Sequence, residues 1–183
     1  MLNMRHNLPV YSMRPIPVLL GLLAGLLALC ALIFSIPEPI NGHGMAHHAV
    51  DGMRQAGDAW QQSGPVFRVG YCLGVLIYLI FSILVYIGVP QAKRDRTLRL
   101  VHSAATLAVL AMWSFLIYLS WQYLHSGDPM IGSAFPVPTL VMLLGLWIAP
   151  VSFSLIYVLG FRRWIFTPED EEKFRQLMES KRP

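Results

Sequence analysis

The side chains best suited to chemistry are gathered in one short stretch, Asn41-Gly-His-Gly-Met-Ala-His-His48. It holds His43, Met45, His47 and His48, and a fifth candidate, His125, stands later in the chain. Imidazole and thioether donors together suit copper, above all Cu(I), while imidazoles alone suit zinc or the iron of a b-type haem. Imidazole binds metal in its neutral form, so such a site would weaken below the ordinary histidine pKa of about 6.5. The stretch has no established zinc spacing, no cysteine and no paired carboxylates. The plain alternative is a polar loop that contains histidines.

Length decides one haem arrangement. His102 and His125 are 23 residues apart, about 35 Å along a helix axis, so they cannot hold the same iron. His125 would need a partner among His43, His47 and His48. His102, at the inner edge of its span, has only His6 on the N-terminal tail for a partner and is expected to be an interfacial residue bonded to water or headgroups. Other chemistries lack their residues. There is no phosphate-binding glycine loop, no His-Glu-x-x-His and no nucleophile elbow. Of the two cysteines, Cys30 and Cys72 both fall in apolar stretches and read as small buried residues.

The elements that must position these groups are four apolar stretches, about 15–36, 67–89, 100–125 and 137–161, with no Asp, Glu, Lys or Arg in their middles. Each exceeds the roughly 20 residues that cross a hydrocarbon core of about 30 Å. The chain has 183 residues, 55% hydrophobic and 13% charged, a make-up foreign to soluble domains. The fold expected is all-α: a polytopic membrane protein with four transmembrane helices in an antiparallel bundle. Residues 1–14 form a short tail, 15–161 the membrane domain and 162–183 a second tail. The first stretch follows Arg5 and Arg14 as a signal peptide would, but it is too long and lacks a small-residue cleavage site, so it reads as a retained span.

A net charge of +4 would point to nucleic acid in a soluble chain. Here the placement of the cations gives a different reading. Arg5, Arg14, Lys93, Arg94, Arg96, Arg99, Arg162, Arg163, Lys173, Arg175, Lys181 and Arg182 share one side, against Arg54 and Arg68 on the other. The positive-inside rule makes the larger group, and with it both termini, cytoplasmic. No nucleic-acid partner is expected. The histidine loop then faces outward, the periplasm if the membrane is a bacterial inner membrane.

Within the loops, Met45, His48, Val50, Met53, Gly57 and Trp60 recur near helical spacing, which predicts a surface helix over roughly 46–62. Pro150 predicts a kink in the fourth span. Thr167-Pro168-Glu169-Asp170 resembles a capping box, and a short amphipathic C-terminal helix is expected from about Pro168 to Ser180. Phe174, Leu177 and Met178 fall on one face of it, either to rest against headgroups or to dock a partner. Gly21 and Gly25, then Gly70 and Gly74, form two Gly-x-x-x-Gly patterns that permit close helix packing. Trp113, Tyr118 and Trp121 could contact a quinone or lipid, but fit ordinary packing and an interfacial belt as well.

With His102 and His125 framing one span, the general pattern looks like small multi-span bacterial proteins that assist respiratory oxidases. That resemblance carries over no functional residue. The function expected is a non-enzymatic accessory or assembly subunit of a larger inner-membrane complex, a respiratory one being a candidate, with the lipid bilayer and other integral membrane subunits as partners. The alternative is an outer-face copper or b-type haem protein built on His43, Met45, His47, His48 and His125.

Overall fold

The structure, a computed structural model, describes residues 15–38, 42–55, 57, 59–126, 131, 132 and 134–181. The N-terminal tail 1–14, with Arg5, His6 and Arg14, lies outside the described residues. The chain is mostly helical, and four helices are long and apolar enough to cross a membrane: α1 (Pro15–Ser35), α2 (Ala59–Ile87), α3 (Arg96–Ser126) and α4 (Val137–Ile165). A fifth helix, α5 (Pro168–Ser180), follows them. These are the features of an integral membrane protein: a helix satisfies most of its backbone polar groups internally, as a hydrocarbon solvent demands.

Two expectations need correction. Residues 46–62 do not form one surface helix. Met45–Ala46 (β1) and Arg54–Gln55 (β2) pair as an antiparallel hairpin, Met45 opposite Gln55 and Ala46 opposite Arg54. Gly44 and Gly52 take positive φ angles of 82° and 79°, which side-chain-bearing residues adopt only under strain. A Cβ on Gly44 would lie 2.9 Å from the Gln55 carbonyl oxygen. Turn chemistry at Asp51-Gly52 therefore overrides the helical spacing. The residues after the hairpin join α2 instead, which starts at Ala59 rather than near Phe67. Trp60, in the first turn of α2, packs against Phe67 with ring centroids 6.0 Å apart.

The fourth span runs continuously through Pro150. Two π-turns, at Val141–Gly145 and Phe161–Ile165, interrupt its regular α geometry. Between the spans a short turn, Gln91–Lys93, leads into α3. A second small hairpin, Ile131–Gly132 (β3) with Phe135–Pro136 (β4), leads into α4.

Packing is uneven. Val89, Leu98, Val109, Phe153, Ile156 and Trp164 make the buried cluster, with Tyr78, Val85, Tyr86, Ala105 and Tyr157 against it. All of these belong to α2, α3, α4 and the turn after α2, and the cluster is concentrated toward the basic end. The α1 helix buries none of its residues. It leans on α2, where Leu76 Cδ1 would touch a Cβ on Gly25 at 3.6 Å. A cleft is left where α1 stands off α3.

Candidate functional site

The histidine loop does not assemble into one centre. His43 sits beside Glu38, Nε2 to Oε2 3.7 Å, with both side chains at least four-fifths exposed. Arg54 Nη1 donates to the His43 carbonyl at 3.0 Å, which ties the hairpin's two sides together. His47 and His48 stack on each other with ring centroids 4.8 Å apart. The Ala49 N–H donates to His47 Nδ1 at 3.1 Å, so the lone pair a metal would need on that nitrogen is already engaged. Met45 is exposed on β1.

His125 is held elsewhere. Its ring lies 4.2 Å from Trp60 and 4.5 Å from Trp121, centroid to centroid, and Nδ1 donates to the Trp121 carbonyl at 2.9 Å. The group that reaches His125 from the start of α2 is thus an indole and not an imidazole. Among the described residues no three His, Cys, Asp or Glu side chains converge as a metal site. Met130, a further sulfur near His125 in sequence, lies outside the described residues.

The polar centre that sequence reasoning missed is His102. It is packed inside the bundle instead of standing open to water: only 8% of it is exposed. Since α3 begins at Arg96, His102 stands about 9 Å into the helix, between Tyr86 and Phe153, each 5.3 Å away by ring centroid. Thr106 Oγ1 donates to the His102 carbonyl at 2.9 Å, and its oxygen lies 2.6 Å from Ser82 Oγ. Ser82 Oγ is in turn 2.9 Å from His102 Nε2. The hydrogens can be counted. Thr106 spends its one on the carbonyl, so Ser82 must donate to Thr106, and His102 Nε2–H must donate to Ser82. A neutral His102 therefore carries its hydrogen on Nε2 and keeps Nδ1 as an acceptor. Such networks are worth forming inside a membrane, where an unmade bond finds no water. The signal available in the sequence was His102 and Thr106 four apart on one helix face, with a lone Ser82 in the neighbouring span.

The network floors a cleft of about 580 Å³ between α1, α2 and α3, bordered at one end by Pro15 and Arg99 and at the other by Leu110.

At the basic end, the cations have defined uses. Arg94 donates to the carbonyls of Val89 (2.8 Å) and Ile87 (3.2 Å) and lies 4.7 Å over the Tyr86 ring, closing the C-terminus of α2. Asp95 Oδ1 accepts the Leu98 N–H at 2.7 Å and so caps α3. Its other oxygen accepts from Arg163 Nη2 at 2.7 Å. The bond from the Leu98 N–H, with Arg163 beside it, lowers the Asp95 pKa. Lys93 reaches the start of α5, where Nζ donates to the Ile165 carbonyl at 2.7 Å and pairs with Asp170. Asp170 Oδ2 also accepts from the Thr167 N–H (2.9 Å) and hydroxyl (2.8 Å). Lys93 first, then Thr167, hold the Asp170 carboxyl well below the usual carboxylate range. Phe174, Leu177 and Met178 on α5 are each more than half exposed.

The glycine pairs divide internally. Gly74 is covered by the Trp113 indole so closely that a Cβ would clash with its ring atoms, whereas a Cβ on Gly70 would meet no neighbouring side chain within 4 Å. Gly25 meets Leu76, and Gly21 has nothing within 4 Å. Trp113 Nε1 donates to the Tyr71 carbonyl at 3.1 Å, and Tyr71 and Ser114 share a hydroxyl bond of 3.1 Å. Trp113 is thus a packing residue, while Tyr118 and Trp121 are exposed toward the C-terminal end of α3. The chain matches no protein-family model, no curated protein and no solved structure.

Proposed function

We propose that this chain is a non-enzymatic subunit of a larger inner-membrane complex, held there by the outer face of α4. The observation that carries the reading is Trp147. It is 75% exposed and stands four residues, about 6 Å, from the midpoint of a helix long enough to span the bilayer. Tryptophan belongs at the two interfaces, where its N–H meets water or headgroups. Near mid-depth, and without an acceptor among the described residues, that N–H would sit in hydrocarbon, at a cost of about 1–3 kcal/mol. A neighbouring transmembrane helix that offers a carbonyl or hydroxyl removes the cost. Leu144, Ile148, Val151, Leu155 and Val158, all exposed, surround Trp147 at alternating spacings of four and three, the pattern of a helix-packing seam.

The tail supports the same reading. Its helix carries five acidic residues against two basic ones between Pro168 and Ser180. The anionic cytoplasmic leaflet repels such a helix, so headgroups are poor cover for Phe174, Leu177 and Met178, and a protein surface is better cover. The Lys93–Asp170 pair and the Arg163–Asp95 pair fix where that face is presented.

In the proposed arrangement the spans run antiparallel with both termini and the basic hairpin in the cytoplasm. The contacts support alternation: Tyr71 meets Ser114 while Ser82 meets His102, so one index rises as the other falls. Purification in mild detergent tests the subunit role. A stoichiometric integral-membrane partner that is lost in Trp147→Leu is expected. A chain that elutes alone at its own mass, in wild type as in the variant, overturns the proposal.

A further inference from the structure

The cleft between α1, α2 and α3 has a polar end, an apolar run and a length that together name an occupant. Its polar end is built from Arg99, Ser103 and the Ser82–His102–Thr106 network; its run is Val18, Leu79, Leu107 and Leu110. Arg99 and Leu110 are eleven residues apart on one helix, about 16 Å, which is the depth of one leaflet of a core about 30 Å thick. The cleft therefore begins at headgroup level and ends near the midplane. Its volume of about 580 Å³ is in the range of small-molecule sites, and an apolar space of that size opening sideways into a bilayer is filled by a lipid-like chain in preference to water.

The charge at its mouth narrows the choice. Lys93, Arg94, Arg163 and Arg175 each hold a protein partner. Arg99 has none among the described residues, and neither does the Ser103 hydroxyl one turn deeper. A guanidinium at phosphate level with a hydroxyl donor about 6 Å below it matches a phosphate followed by an ester carbonyl. We propose that the cleft seats one anionic phospholipid of the leaflet at the basic end, its phosphate on Arg99, an ester oxygen on Ser103 and one acyl chain along Val18, Leu79, Leu107 and Leu110. An isoprenoid quinone would present its ring to His102 and would make no use of Arg99.

Native mass spectrometry of the purified full chain, with phosphatidylglycerol or phosphatidylcholine of identical acyl chains added, tests this. The wild type is expected to keep one phosphatidylglycerol per chain with about fivefold preference over phosphatidylcholine, the effect of one cation near a charged headgroup. Arg99→Gln should bring that preference close to one while the chain still binds. Ser103→Trp, which plugs the cleft, should remove the adduct. Equal binding of the two lipids by wild type overturns the proposal, as does an undiminished preference in Arg99→Gln. Displacement of phosphatidylglycerol by an equimolar short-chain quinone, unaffected by Arg99→Gln, would assign the cleft to a quinone instead. Should Ser103→Trp fail to fold, the Arg99→Gln comparison, at an exposed position, decides alone.

Discussion

Replacing Gly74 by alanine should damage the protein far more than replacing Gly70, although both belong to one Gly-x-x-x-Gly pattern. At Gly74 the added Cβ clashes with the Trp113 indole, so the ring must leave its place between α2 and α3. Overpacking of this kind costs about 1–3 kcal/mol. The displaced indole also loses its bond to the Tyr71 carbonyl, 3.1 Å long, and bonds between membrane helices are worth about 0.6 kcal/mol on average and up to about 1.7. Together these give about 1.6–4.7 kcal/mol, or roughly a 15- to 3,000-fold fall in the folded-to-unfolded ratio. At Gly70 the new methyl meets no neighbouring side chain within 4 Å, and the change should stay within about 0.5 kcal/mol. Unfolding in mixed micelles by added SDS, followed by far-ultraviolet circular dichroism, measures both. Because the clash needs the indole, Gly74→Ala combined with Trp113→Leu should be less destabilised than the sum of the single changes by about 1 kcal/mol or more. Equal costs at Gly70 and Gly74, or strict additivity in the double variant, would refute this account of how α2 and α3 meet.

Three further outcomes follow from other contacts. Ser82→Ala strips the partner from His102 Nε2 in a buried setting and should cost about 1 kcal/mol, whereas Ser154→Ala, whose hydroxyl serves the Pro150 carbonyl of its own helix, should be close to neutral in the same SDS titration. The Asp95 and Asp170 contacts have a defined pH dependence. Both carboxyls have folded pKa values below the ordinary aspartate range, so their contribution is complete above about pH 4–5 and disappears as the pH falls through the lower folded values. Proteolysis of α5 should therefore be unchanged from pH 8 to 5 in wild type, while Asp170→Asn should be cut faster across that whole range; a wild-type tail released already at pH 6 would contradict the assignment. Single cysteines at Gln91 and at Gln55, in a background with Cys30 and Cys72 replaced by serine, should react with an impermeant maleimide from opposite sides of the membrane, Gln91 only after the cytoplasm is opened. Labelling of Gln91→Cys in intact cells would remove the proposed orientation.

The four spans were legible in the sequence because hydropathy reports depth directly: about 20 apolar residues can lie only in a core or a bilayer. Rotation about each helix axis was not legible. In a segment apolar on every side, periodicity cannot tell the face that meets a neighbour from the face that meets lipid. This is why His102 read as a residue bonded to water or headgroups, although its ring lies between Tyr86 and Phe153 and bonds Ser82. It is also why Gly70 and Gly74 looked equivalent. The 45–55 hairpin was lost for a different reason. Met45, His48, Val50 and Met53 happen to follow helical spacing, and the Asp51-Gly52 turn signal, which decides the backbone, counted for too little beside it. The placement of the histidines was not legible either: residue type marks them as possible ligands, but only the structure shows His43, His47 and His48 along the hairpin and His125 between two indoles.

The subunit proposal is exposed most directly at position 147. A photoreactive phenylalanine analogue placed there and irradiated in intact cells should give one adduct of discrete mass that contains another integral membrane protein. The same analogue at Leu110, in the cleft on the far side of the bundle, should not give that adduct. Only lipid adducts at position 147, or the same set of products from both positions, would contradict a partner helix on the outer face of α4.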